Sequence, residues 1–428
     1  MKKLYILIPV IFFTANNTAI SQCPNDNVLY EIITAPSVVG ATVNTLLYGG
    51  EYTQINGLVS GNTYRITTCG DNAFDSQITI YKTSGAVLQA FNDDYITCSP
   101  QSTINFSPFT SGSYDILIDE YNCADNFVSY ITVQITLLET PDPIITIPVV
   151  VHVVYANSTQ NISNAQIQSQ IDVLNDDFRR LNSDVSGLPE RFKGFSKDCR
   201  IEFCLATQDP NGFPTTGITR TATSHAPFND DIIGDYQEMK FTSIGGKDIW
   251  DRDYYLNIWV CDLDGLLLGY AQFPSTGVPS TDGIVVDYTA FGTTGTAVFP
   301  YNGGRTATHE VGHWLDLKHI WGDEAACTGS DLVNDTPNSA DKNFGCPALI
   351  STCSNGGFGG DMYVNYMDYT DHNCMAMFSY GQYQRIEATM NGFRSPLKFS
   401  NGCQPSEVVV AENTNINTTV FPKHTNDL

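Results

Sequence analysis

The sequence predicts a small all-β sandwich followed by an α+β unit with a mixed sheet. Three observations carry that prediction. Residues 23 to about 138 alternate apolar and polar side chains with a period of two and hold no helical pattern. Thr140-Pro141-Asp142-Pro143 then interrupts the chain, since two prolines so close resist both helix and sheet. Beyond it, buried-strand runs are separated by a long amphipathic helix. A chain of 428 residues is long enough to give each unit its own core.

Ahead of the sandwich, Lys2 and Lys3 precede a short apolar run over residues 4–13, and Ala19-Ile20-Ser21 sets small residues where a signal peptidase reads. Residues 1–21 are therefore expected to be an export signal and the protein to be secreted. The run is too short to cross a bilayer and no later run is long enough, so a membrane-embedded protein is not expected. Acidic residues outnumber basic ones 46 to 21, and a net charge of −25 leaves nothing to neutralise nucleic-acid phosphates. It suits a soluble extracellular protein and calcium-binding loops. All 12 cysteines follow residue 21, and an even count in an exported chain reads as disulfides. In Cys199-Arg200-Ile201-Glu202-Phe203-Cys204 the odd separation sends the two sulfurs to opposite faces of a strand, so they are expected to pair elsewhere.

The sandwich is expected over residues 22–138. Tyr64, Ile66 and Thr68 alternate with polar neighbours, as do Tyr114, Ile116 and Ile118, then Ile131, Val133 and Ile135. Gly49-Gly50, Ser60-Gly61-Asn62 and Ser111-Gly112-Ser113 supply turns between such runs. A linker follows over residues 139–146, then the α+β unit over 147–403. Residues 149–154 read as a buried strand and 255–260 as another. From Asn164, Ile167, Ile171, Leu174, Phe178 and Leu181 share one helical face. Ser379 followed by Gln382 reads as the capping box of a last helix through Met390.

The chemistry concentrates in Thr308-His309-Glu310-Val311-Gly312-His313-Trp314-Leu315-Asp316-Leu317-Lys318-His319. One helical turn separates His309 from His313, so both can reach one ion, while Glu310 lies on the adjoining strip and can touch a water there. Zinc with three neutral imidazoles keeps one open position and lowers the pKa of its water towards ~7. Glu310 can take a proton from that water and later protonate the leaving amine. His319 joins only if the helix ends and the chain turns sharply. The motif resembles that of the metzincins, H-E-x-x-H-x-x-G-x-x-H, whose glycine makes the turn in a left-handed conformation. Here Asp316 takes that place, at a strain of about 1 kcal/mol. Downstream, Met367 in Asn365-Tyr366-Met367-Asp368-Tyr369 fits the Met-turn that lies beneath a metzincin zinc site as a polarizable floor.

Gly304-Arg305-Thr306-Ala307-Thr308, Asp335-Thr336-Pro337 and the residues around Met367 together resemble the bacterial branch of the pappalysin family of metzincins. Cys199 to Ala206 and Gly217-Ile218-Thr219-Arg220 also look familial. The similarity runs from about Ile147 to Cys403. It implies a zincin catalytic domain with a zinc helix and Met-turn, zinc on His309, His313 and His319, and Glu310 as catalytic base. It also implies Tyr369 as a second catalytic residue that steadies the tetrahedral intermediate. Further implications are disulfides Cys327–Cys353 and Cys346–Cys374, and calcium on Asp331, Asp335 and Thr336. Gly269, Tyr270 and Ala271 match the edge strand that receives protein or peptide substrates as an added strand. Some members prefer a basic residue just after the cut, read by an acidic pocket beyond the Met-turn. That stretch here is Asp371-His372-Asn373, and only Asp371 is acidic.

Three matters stay open on sequence alone. Residues 404–428 read either as a polar tail or as the opening of a type IX secretion sorting domain, which residues 419–428 resemble except at Lys423-His424. The sandwich reads as a pro-domain, with Cys23 as a conceivable zinc blocker, or as an accessory module. Finally, an inactive metzincin scaffold serving binding or adhesion is the alternative to a peptidase.

Overall fold

The computed structural model describes residues 23–405, apart from 96, 109, 141–142, 229–236, 325 and 354–359. The expected export signal and all but the start of the tail lie outside the described residues.

Nine strands come first: Val28–Thr34 (β1), Thr42–Gly49 (β2), Glu51–Leu58 (β3), Thr63–Thr67 (β4), Ser76–Lys82 (β5), Val87–Asn92 (β6), Thr103–Phe106 (β7), Gly112–Glu120 (β8) and Asn126–Glu139 (β9). They form a five-stranded sheet in the order β1-β3-β8-β5-β6 and a four-stranded sheet in the order β2-β9-β4-β7. Alternation is the cause, because every second side chain must leave water. Tyr64, Ile66, Tyr114, Ile116, Ile118, Ile131, Val133 and Ile135 are all fully buried in the core between the sheets.

A six-stranded sheet follows, ordered β11-β10-β13-β15-β14, with β12 also pairing β10. Its members are Ile145–Tyr155 (β10), Ile201–Leu205 (β11), Ile218–Ala222 (β12), Leu256–Cys261 (β13), Gly269–Ala271 (β14) and Ile284–Asp287 (β15). Only β14 runs antiparallel, at the edge. Residues 149–151, 153 and 154 of β10 are fully buried because this central parallel strand is covered on both faces. Helix α1 (Asn164–Phe178) is capped by Ser163, whose side chain accepts from the Gln166 N–H. It buries Ile167, Ile171, Leu174 and Phe178. Leu181, expected on that face, instead lies beyond the helix and is exposed, because Arg180 turns left-handed at φ +53° and ends the spiral. After the short α2 (Glu190–Lys193) come α3 (Arg305–Trp314) and α4 (Tyr380–Asn391), the latter opened by the Ser379–Gln382 capping box.

Disulfides join Cys23–Cys123, Cys69–Cys98, Cys204–Cys403, Cys327–Cys353 and Cys346–Cys374. The expectation that the even cysteine count is fully paired needs correction, since Cys199 and Cys261 are free thiols. Each is sealed in a different apolar cluster, where a thiol packs as a small hydrophobe. Cys23 is bonded and so is no free zinc blocker. The sandwich meets the second unit through Lys197, whose Nζ donates to Glu139 Oε1 at 2.7 Å and to Thr63 Oγ1 at 2.5 Å beneath the Tyr380 and Tyr383 rings.

Edge strand β14 rests on a buried cation. Lys240 Nζ donates to the Thr281 carbonyl at 2.7 Å and lies 5.3 Å from the Tyr270 ring and 4.9 Å from that of Trp259. Burial pushes this ammonium down to about 7, with Asp282 opposing. A base with a depressed folded value binds fewer protons folded than unfolded, here between about pH 7 and 10.5, so stability rises with pH across that window. Lys240→Met should therefore raise the melting temperature by a few degrees at pH 6.5, with the gain shrinking by pH 9.5. A pH-independent difference in calorimetry would contradict this.

Candidate metal centre and cleft

Helix α3 is set in place by one buried carboxylate. Asp177, at the end of α1, accepts from Thr308 Oγ1 (2.7 Å), from the Tyr366 hydroxyl (2.8 Å) and from Arg305 (3.3 Å). It thereby ties α1 to α3 and to the turn that carries Met367. The helix stops after Trp314 in a left-handed cap. The Asp316 N–H bonds to the His313 carbonyl and the Leu317 N–H to that of Gly312, both at 2.9 Å. Asp316 adopts φ +74°, and Arg385 holds it through both its carboxylate (2.7 Å) and its carbonyl (2.9 Å).

That reversal returns His319 to the helix. The Nε2 atoms of His309, His313 and His319 stand 3.0, 3.0 and 3.2 Å apart. Each Nδ1 bonds to an atom that only accepts: the Tyr366 carbonyl (2.7 Å), the Leu317 carbonyl (2.7 Å) and the Asp323 carboxylate (2.5 Å). The ring protons therefore sit on Nδ1, and three bare lone pairs face one another. Burial lowers all three imidazoles, His313 to about 4 and His319 to about 2, which keeps them unprotonated. Among the described residues, this is the only group of three or more His, Cys, Asp or Glu side chains whose ligand atoms gather within 4.8 Å.

Glu310 is 6% exposed, and burial pushes its carboxyl up to about 8. Gly269 of β14 lies against it, so near that a Cβ there would come within 3.1 Å of Glu310 Cγ. Met367 is wholly buried under the helix, and a Cβ on Gly312 would meet its Sδ at 2.5 Å. Asn365, bonded both ways to Gln382 of α4, holds the Met367 N–H at 2.9 Å. The partly exposed Tyr369 ring lies 4.9 Å from the His319 ring and 5.5 Å from that of His309. A pocket of about 280 Å³ opens between β14, α3 and the segment after Met367, and no residue of 23–139 lines it.

The family described as pregnancy-associated plasma protein-A matches residues 235–391. An extracellular metalloprotease of Arthroderma benhamiae is 30% identical over 254 residues, 59% of this chain and 79% of its own length. One from Pyricularia oryzae is 32% identical over 259 residues, 59% and 77% respectively. Mature mirolysin of Tannerella forsythia, solved with a cleaved peptide, is 49% identical with a TM-score of 0.59, over 62% of this chain and 99% of its own. The chain belongs to the pappalysin family.

This pappalysin is a zinc metalloendopeptidase with a metzincin-like catalytic domain, and its relatives are extracellular. Among the described residues no helix is long and apolar enough to cross a membrane. The long loop between α3 and α4 holds Asp331, Asp335 and Thr336. Thr336 Oγ1 donates to Asp331 at 2.6 Å, whereas Asp335 accepts from Ser379 Oγ (2.6 Å) and the Gly381 N–H (2.8 Å) at the start of α4. Burial raises both carboxyls, Asp331 to about 7. His152 is a core residue bonded to Thr219 and Asn257.

Sequence reasoning missed Asp177, Asp323 and the stacking of Trp321 on His319 at 4.3 Å. Only Asp323 left a signal, four residues after a ligand-type histidine. With Met367 Sδ so close beneath it, Gly312→Ala should cost about 1–3 kcal/mol through overpacking, read by thermal unfolding. An unchanged melting temperature would mean that the sulfur yields freely.

Proposed function

We propose that the enzyme cuts extended protein segments outside the cell, with one zinc ion on His309, His313 and His319 and Glu310 moving the protons. The convergence of three Nε2 lone pairs at 3.0–3.2 Å carries the reading. Such lone pairs repel unless a cation lies between them, and zinc with bonds of about 2.0–2.1 Å keeps tetrahedral nitrogens about 3.3 Å apart. When bound, zinc supplies Lewis acidity, acidifying water and polarising a carbonyl.

The chain's own groups do the rest. Glu310 removes a proton from the attacking water and returns it to the departing amine. Its burial supports this shuttle, because a carboxyl pushed up to about 8 holds the proton more readily than an exposed one, while a nearby cation draws that value back down. Tyr369, beside two of the imidazoles, donates its phenol to the oxygen that gains charge. Gly269, Tyr270 and Ala271 offer the free edge of β14 to the substrate backbone. Met367 floors the site on α3, the zinc helix of this reading, in the manner of a Met-turn.

Residues 1–21 serve as the export signal in this reading, and residues 404–428 serve as a tail or as part of a sorting domain. Asp331, Asp335 and Thr336 bind calcium, since two carboxylates in one loop, Asp331 buried and Asp335 partly so, form no ion pair among the described residues. Calcium should raise the melting temperature by several degrees and Asp331→Asn should abolish the rise; no calcium response removes this site.

The decisive variant is Glu310→Ala. It should retain zinc by elemental analysis yet lose at least about 10²–10⁴-fold in turnover of denatured protein. Wild-type rates in the variant would refute the mechanism. A zinc-loaded wild-type protein that cleaves nothing would point to a binding protein on an inactive scaffold.

A further inference from the structure

We infer that the pocket beside Glu310 receives an uncharged apolar or aromatic side chain from the residue that supplies the new amino terminus, and rejects lysine and arginine there. The inference rests on the proposed role of Glu310. A group that protonates the leaving amine places that amine's own residue beside itself, and Glu310 forms part of this pocket's wall.

At about 280 Å³ the pocket falls just below the usual ~300–1,000 Å³ of small-molecule sites and suits a single side chain. Leu267, Leu268, Tyr301, Phe344 and Met375 make its walls largely apolar. A basic side chain entering it needs a carboxylate partner, and among the described residues both carboxylates that line the pocket are already engaged. Of the two carboxylates that line the pocket, Glu310 is the proton shuttle. The other, Asp368, is fully buried and already accepts from the Asn343 N–H, Asn343 Nδ2 and the Tyr369 N–H, each at 2.8 Å. Asp371, the acidic residue of the stretch beyond Met367, does not line the pocket; its neighbour His372 does.

The bonding of His372 makes it neutral and leaves it no lone pair. Its Nδ1 accepts from the Gly303 and Arg305 N–H groups at 3.0 and 3.3 Å. Its Nε2 therefore carries the proton and donates to Thr306 Oγ1 at 2.9 Å. The remaining charges are cationic. Arg305 contributes to the lining with an unpartnered Nε, its guanidinium tied to Asp177 and Asp184. Lys342 lies exposed at the rim, 5.8 Å from the Tyr369 ring, and forms no ion pair among the described residues. An incoming arginine would lose its hydration beside the like charge of Lys342, with no free carboxylate in return.

The test is digestion of a denatured-protein library by the full-length enzyme, with and without chelator, reading new amino termini by mass spectrometry. Leu, Met, Phe and Tyr should dominate. In matched peptides differing at that one residue, Arg should give a kcat/KM at least tenfold below Leu. Chelator-sensitive cuts mainly before Arg or Lys would overturn this inference and leave the protease reading standing, whereas absence of any chelator-sensitive cut would overturn both. Lys342→Glu, a change on the exposed rim, should raise the Arg-to-Leu ratio several-fold. His372→Asp, which keeps an acceptor for Gly303 and Arg305, should raise it further. Ratios unchanged in both variants would overturn the charge argument.

Discussion

Three unprotonated imidazole nitrogens crowded within about 3 Å of one another are a repulsive arrangement, and the catalytic unit is built to enforce it. Two of the restraints are backbone carbonyls, which hold the His309 and His313 rings by their far nitrogens. The Leu317 carbonyl that steadies His313 is available only because the chain reverses at Asp316. One left-handed residue thus ends the helix, orients a ring and brings back His319. The Arg385 pairing with Asp316 shows α4 reaching across to hold a residue other than glycine in that conformation.

Asp177 is the matching constraint on the other side. It belongs to α1, far from the histidines in sequence, yet its oxygens bind Thr308 and Arg305 on α3 and Tyr366 beside Met367. Tyr366 also supplies the carbonyl that fixes His309. The helix and the turn beneath it are consequently registered against a single buried atom pair rather than against each other alone. No sandwich residue lines the cleft, and the sandwich's described contacts with this unit include Lys197, α2 and Arg180 just past the end of α1.

What the sequence made legible follows from how local each feature is. The histidine spacing, the apolar periods of β10 and α1 and the Ser379–Gln382 cap are short-range patterns, readable because helix and strand geometry repeat within a few residues. The resemblance around Met367 named the family. Asp177 and His372 were not legible as structural hubs, because their partners lie more than 60 residues away and no spacing encodes such distances. Leu181 misled because hydrophobic periodicity ran one turn past the point where Arg180 breaks the backbone. The cysteine count misled because burial in an apolar cluster protects a thiol as well as a bond does.

Between α3 and α4 the described chain runs with almost no regular structure, close to the cleft beside edge strand β14. A slack segment of that kind would itself be good prey for a neighbouring copy of the enzyme. The cross-links Cys327–Cys353 and Cys346–Cys374 tie it into two overlapping loops whose ends cannot be drawn apart. A segment so tied is expected to resist cleavage by a neighbouring copy, a protection that reducing conditions would remove.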